Sequence, residues 1–160
     1  MFTVRRAKLS DLHDLTTLRG EFYSESGYRF DAATARAATE ELMRSPRFGA
    51  IWVIRLFNEP VGYAVVCVGY SLEYGGRDAF LDEIYVRYEC RHHGAASRAL
   101  DVALDWCRKS GVRAVHLEVE DWNEEAIRLY EDWEFEDNDR ILMTRQLTGK
   151  RARRTHARKS

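Results

Sequence analysis

Leu81-Asp82-Glu83-Ile84-Tyr85-Val86-Arg87-Tyr88-Glu89-Cys90-Arg91-His92-His93-Gly94-Ala95-Ala96-Ser97-Arg98-Ala99-Leu100 changes its period halfway. Up to Val86, the segment that begins at Ala79 alternates its aromatic and aliphatic residues as a strand does. From Ala95 onward, Ala96, Ala99, Leu100, Ala103, Leu104 and Cys107 recur at helical spacing. The joint is a short loop holding Arg87, Arg91, His92, His93 and Gly94. A helix leaves its first backbone N–H groups without intrahelical partners, and with the positive end of the helix dipole they form an anion site. Gly94, Ala95 and Ala96 leave the approach clear, so a diphosphate could reach the amides from His93 to Ser97, with Arg87, Arg91 and Arg98 adding charge. Taken alone, the stretch reads equally well as an ordinary helix start with small residues for packing.

The chain of 160 residues suits one domain with a single core, and 45% apolar content with 12% aromatics is that of a globular protein. No apolar run approaches the ~20 residues of a membrane span, and Met1 to Arg6 lead into no apolar segment of the secretory kind. The expectation is a soluble, cytoplasmic protein without membrane association. Cys67, Cys90 and Cys107 are far apart and form no C-x-x-C pair, which fits reduced thiols and gives no metal site. The net charge of −1 hides an asymmetry: residues 148–160 carry six of the 25 basic residues and no acid, leaving 19 bases against 26 acids on the body. An acidic body attracts cationic small molecules more readily than nucleic acid. The basic tail reads as a flexible terminus, and a dedicated nucleic-acid role is not expected.

Phe2 to Ala7 alternates as an edge strand, and a helix starts near Ser10 and is expected to stop at Gly20. Glu21 to Tyr28 reads as a polar, aromatic connection and Ala32 to Arg44 as a second helix capped by Asp31. Ala50 to Leu56, Val61 to Tyr70 and Ala79 to Val86 form a meander. After the helix from Ala95, the strand Arg113 to Val119 arrives by a crossover and should lie parallel to Ala79 to Val86. Asn123 caps a last helix through about Trp133, and Phe135 and Ile141 to Leu147 bracket a turn and give two final strands.

Two motifs resemble one family. Arg91-x-x-Gly94-x-Ala96, directly after a strand, resembles the acyl-CoA diphosphate signature of the GNAT superfamily of N-acetyltransferases. Asn123-Glu124-Glu125-Ala126-Ile127-Arg128-Leu129-Tyr130, after the parallel strand, resembles the Asn-x-x-Ala-x-x-Leu-Tyr run of the same family, with Glu134 where a glycine is usual before Phe135. His92 stands where an Arg-Gly run is usual and Tyr88 where proline is common; positive φ at residue 92 would cost ~1 kcal/mol. Leu81 to Val86 looks most like the corresponding segment of the diamine and thialysine acetyltransferases.

The resemblance covers about residues 3–147, within one domain over residues 1–147, and implies a mixed α/β GNAT fold, with a central mixed twisted sheet of about seven strands and about four helices. It implies acetyl-CoA as cofactor, held by Ile84, Tyr85, Val86, Arg91, His92, His93, Gly94, Ala95, Ala96, Ser97, Asn123 and Tyr130. The Ile84 amide would polarise the thioester carbonyl, and Tyr130 would protonate the departing sulfur. By the two-residue strand period Asp82 shares a face with Phe80, Ile84 and Val86, which makes it first choice for general base, through water, with Glu83 second unless a bulge turns the strand. Both acids read equally well as substrate attractors. His92, His93 and His116 rank below them as bases. Glu21, Tyr23, Glu25, Tyr28, Glu73, Tyr74 and Asp82 are the candidate acceptor residues, since acids with aromatics suit a cation. The implied reaction is direct acetyl transfer in a ternary complex to a primary amine of a polyamine, diamine, aminoglycoside-like or lysine-like acceptor, by a chain that pairs as a homodimer. The alternatives are an acyl-CoA-binding regulatory module without turnover, told apart by thiol release, and a protein lysine or N-terminal acetyltransferase.

Overall fold

The computed structural model describes residues 1–149, so the expected basic tail from Lys150 onward lies outside the described residues. Strands β1 (Phe2–Arg6), β2 (Gly49–Leu56), β3 (Glu59–Ser71), β4 (Gly76–Val86) and β5 (Ala114–His116) form one sheet in chain order. Successive strands from β1 to β4 are antiparallel, while β5 lies parallel to β4 after the crossover. Helices α1 (Leu12–Glu25) and α2 (Ala32–Arg44) precede β2, α3 (Ala95–Lys109) makes the crossover, and α4 (Glu124–Asp132) follows β5.

The sheet is covered on both faces, which explains why Gly49 to Ile54 is buried without interruption. On one face α3 packs Ala95, Ala99, Leu100, Ala103 and Cys107 against Trp52, Ala64, Val66, Ala79 and Leu81, in a core that also takes Tyr130. On the other, Leu15 and Leu18 of α1 meet Ile51, Val53, Tyr63, Val65 and Tyr85.

Four expectations need correction. The helix predicted to stop at Gly20 runs on to Glu25, because the stop is Gly27, with φ of 71°: its amide bonds Ser24 O and the Tyr28 amide bonds Tyr23 O. Gly20 lies inside the helix, where a Cβ would stand 3.1 Å from the Phe30 ring. The sheet has five strands among the described residues, not about seven. Phe135 and Ile141 to Leu147 form none there: Ile141, Leu142, Met143 and Leu147 are exposed, so no apolar surface holds that run, and Arg140 fastens it to Glu73 by two bonds of 2.8 Å. The parallel strand is three residues long, because β4 swings away at a bulge: Val65 faces Glu83 and Val66 faces Leu81, leaving Asp82 as the extra residue. That bulge also shifts the alternation. Ala79 and Leu81 before it, and Ile84 and Val86 after it, all meet the α3 core, so Asp82 lies on the opposite face from Ile84 and Val86.

α4 ends as α1 does, with the Glu134 amide on Glu131 O, the Phe135 amide on Tyr130 O, and the Tyr130 and Phe135 rings 5.9 Å apart. Glu134 takes φ of 65° to do so, where its Cβ is strained. Glu134→Gly is therefore expected to raise stability by about 0.5–1 kcal/mol, read as a higher urea midpoint at unchanged m-value.

Asp11 joins β1 to the start of α1. Its buried carboxylate accepts bonds of 2.7 and 2.8 Å from Arg5 and 2.7 Å from the Lys8 amide. The Arg5 bond, then the Lys8 amide and the charges of Arg5 and Arg55, outweigh burial and hold it below the usual carboxylate range. A depressed folded pKa adds stability that is present above pH ~4 and is lost as pH falls through the folded value. Asp11→Asn is expected to cost about 2 kcal/mol at neutral pH and to flatten the acid dependence of urea unfolding.

Candidate active site

The site starts from unpaired backbone. The Arg87 amide bonds Val61 O at 2.8 Å, so it points toward β3. Because strand residues alternate sides, the N–H and C=O of Val86 and Ile84 point the other way. Val86 O there accepts Arg91 Nε at 2.8 Å, as that alternation requires. On this side β5 pairs only as far as Phe80 with His116, so from Leu81 onward β4 has no strand partner there among the described residues, and this open edge is the cleft.

Asp82 and Glu83 stand at the break in unlike settings. Glu83 is sunk: Arg19 donates to its two oxygens at 3.1 and 2.9 Å, Tyr63 at 2.8 Å, and the Tyr23 hydroxyl lies 3.4 Å away. Arg19 also donates to Ala35 O and Thr39 Oγ1 of α2, so one guanidinium joins α1, α2 and β4. Asp82 keeps contact with solvent, yet the protein around it, then the charge of Glu83, push its carboxyl above the usual range, against the pull of Arg19. The bulge thus divides the two acids: Glu83 is held by donors, and Asp82 is open to accept a proton.

At the start of α3, Gly94 takes φ of 81°, and a Cβ there would meet nothing within 4 Å, so glycine serves the turn and not the space around it. The first helix bond runs from Arg98 N to Gly94 O, and no side chain caps the turn, so the amides of Ala95, Ala96 and Ser97 remain for an anion. Ala95 itself is buried in the core. His92 has φ of 62°, with its ring 3.4 Å from Glu125 of α4, and His93 Nδ1 lies 2.6 Å from Arg91 O. Asn123 caps α4 by accepting from the Ala126 amide at 3.2 Å. The Tyr130 phenol is pushed up to about 12 by burial. An open groove of about 660 Å³ lies between His92 and α4, but Glu124, Glu125 and Asp132 line it; the α3 amides suit a diphosphate better.

The acceptor residues scatter. Glu21 and Glu25 lie on α1, where they hold Arg87 (2.8 and 2.9 Å) and Arg91 (2.6 Å), so α1 clamps the loop and takes up charge that the sequence offered to phosphate. Tyr23 serves Glu83, and Tyr85 is buried beside Phe22 and Tyr63. The Tyr28 hydroxyl reaches Glu120 at 3.3 Å. Glu73 holds Arg140, and the Tyr74 ring lies against His116. Sequence reasoning missed Arg19 and Tyr63. The signal was Arg19 beside Leu15, Leu18 and Phe22 on the apolar side of α1, where a guanidinium requires a buried acid.

Known proteins share the fold. The model of the acetyltransferase (GNAT) family matches residues 12–135. The thialysine N-epsilon-acetyltransferase of Bos taurus is 31% identical, the match spanning 58% of this chain and 61% of that one, so about three-fifths of the relative's length is represented. An integron cassette protein from the mobile metagenome of Cole Harbour salt marsh is 34% identical with a TM-score of 0.84, over 92% of this chain and 91% of that one. An aminoglycoside N-acetyltransferase in complex with CoA, 17% identical, has the same fold at a TM-score of 0.80, over 92% and 96% of the two chains. With a family model matched over most of its length, and a parted pair of parallel strands beside a helix of free amides, the chain belongs to the GNAT family of acetyltransferases.

Proposed function

We propose that the protein transfers the acetyl group of acetyl-CoA to a primary amine of a small cationic acceptor, by direct attack in a ternary complex. The observation that carries this reading is the edge of β4 at Ile84 and Val86, where β5 no longer pairs and only Val86 O is taken, by Arg91, among the described residues, beside the free amides of Ala95 to Ser97. These groups fit acetyl-CoA: amides for its diphosphate, and an open strand edge for the amide-bearing pantetheine arm. Bound there, acetyl-CoA supplies an activated acetyl thioester.

The chain's own residues divide the remaining work. The Ile84 amide offers one donor to a carbonyl oxygen. Asp82 takes the proton of the incoming ammonium through water, since a carboxylate near pKa ~4 is a weak direct base for an amine near ~10 and a raised one is better matched. Tyr130, protonated up to about pH 12, holds a proton to give to a thiolate. No cysteine suits a covalent route: burial pushes Cys67 and Cys107 to about 11, and Cys90 is buried. The surplus of acids on the body supports a cationic acceptor, and two of the similar proteins are named for acetylating amines, thialysine and aminoglycosides. The exposed run Ile141-Leu142-Met143 supports a homodimer, which sedimentation would test.

The test is calorimetric titration with acetyl-CoA, followed by thiol release over polyamines, diamines, aminoglycosides and lysine. Asp82→Asn is expected to lower kcat/KM by about 10²–10³ with acetyl-CoA affinity kept; an unchanged rate removes Asp82 as base. Wild-type activity is expected to fall as pH drops through the raised Asp82 value, above the ordinary carboxylate range near ~4, a limb that the variant lacks. Tyr130→Phe is expected to lower kcat by about tenfold or more, leaving the acid limb in place.

A further inference from the structure

The face of the sheet that carries Asp82 holds a second cluster which the chemistry above leaves unused. Before the bulge the alternation is regular, so Asp78 and Phe80 share the face opposite Ala79 and Leu81, and His116 lies directly across from Phe80 on β5. His116 Nε2 is 3.0 Å from Asp78 Oδ2, and its ring lies 5.1 Å from Phe80 and 5.4 Å from Tyr74. Phe80 and Tyr74 keep 38% and 40% of their surfaces exposed, an aromatic shelf left open on a sheet whose other half is roofed by α1 and α2.

The surroundings keep the carboxylate available. Gly69 faces Asp78 from β3, and a Cβ there would stand 2.8 Å from Asp78 Oδ1, so the missing side chain makes room for that oxygen. Arg140, the cation fastened next to Tyr74, spends both prongs on Glu73, so the partner of Asp78 among the described residues is His116. His116 fixes the direction of the carboxylate and adds a ring face to the shelf. Glu118, which adds to the charge at Asp82, follows His116 by two residues and continues the acidic border toward the cleft.

We infer that Asp78, oriented by His116, whose ring lies against Tyr74 and Phe80, is a second acceptor subsite that holds a distal ammonium group. The inference rests on the amine-acetyltransferase reading and narrows it to acceptors with two cationic groups. A carboxylate bonded to an imidazole that lies among exposed aromatic rings offers an alkylammonium charge, with ring faces nearby for its chain. The strand rise sets the span: the row of Phe80 and His116 lies about 7 Å from Asp82 along β4, and Asp78 about 13 Å. Those separations suit an extended diamine or polyamine and leave a monoamine without a partner.

The experiment compares 1,3-diaminopropane, 1,5-diaminopentane, spermidine and the monoamine pentylamine, with wild type, Asp78→Asn and His116→Gln. Wild type is expected to prefer the longer diamines over pentylamine. In Asp78→Asn that preference in kcat/KM falls by about tenfold, carried by KM and not by kcat, and in His116→Gln it falls less. Calorimetric titration of 1,5-diaminopentane into the protein–CoA complex reads the subsite without turnover, and thermal unfolding checks that the variants fold. Loss of diamine affinity in folded Asp78→Asn supports the subsite. Equal losses for pentylamine and the diamines, an unchanged preference, or no diamine binding to wild type overturns it. Diamine binding that depends on Asp78, with no thiol released from acetyl-CoA, overturns the enzyme reading and leaves the subsite standing.

Discussion

The buried pair of Arg19 and Glu83 ties the two sides of this molecule together. Both side chains are largely shut from solvent, at 14% and 9% exposure, so each charge depends on the other, and removing one partner would strand the second at a cost of about 3–5 kcal/mol. Every remaining donor of the guanidinium is used, on Tyr23 and on two oxygens of α2. The consequence is geometric. Glu83 is drawn to the α1 face immediately after Asp82, which the register leaves as the extra residue of the bulge. The bulge bends β4 out of its pairing with β5, and the cleft opens at that point.

One ion pair therefore explains why two adjacent acids do different things. Like charges so close raise the cost of ionising both, and the protein resolves this by giving all the strong donors to Glu83. Asp82 is raised by the protein packed around it and then by the charge of Glu83, while Arg19, which does not bond it, pulls the other way.

The sequence disclosed the parts that depend on local period and missed those that depend on a distant charge. The strand, loop and helix from Ala79 to Cys107 read correctly because alternation gives way to helical spacing at a glycine, and that glycine does take a left-handed turn. The stop of α1 was misplaced because Gly20 and Gly27 look alike in sequence. Only Gly27 is followed by an aromatic residue, Tyr28, that packs back on Tyr23, 5.9 Å away. Glu134 shows the opposite case: the same helix ending forms without glycine, held by the contact of Tyr130 with Phe135. The faces of Asp82 and Glu83 could not be read at all. A bulge depends on register with another strand, and here also on an arginine 64 residues away.

The same separation of charge accounts for the character of the cleft. Of the basic residues that the sequence offers to a diphosphate, Arg87 and Arg91 are held by Glu21 and Glu25 of α1, which leaves the amides and the exposed Arg98 of α3 for an anion. On the far side of the sheet the acids outnumber their partners, with Asp82 open at the bulge and Asp78 bonded only to an imidazole among the described residues. A bound diphosphate would thus meet backbone dipoles on one side of β4, while a cation would meet carboxylates on the other. The two ligands are drawn to opposite faces by groups of opposite polarity, and the point where those faces meet is the unpaired edge of Ile84 beside Asp82. Arg19 keeps that arrangement from collapsing into a simple ion pair across the strand: it takes Glu83 inward and leaves Asp82 in no ion pair among the described residues.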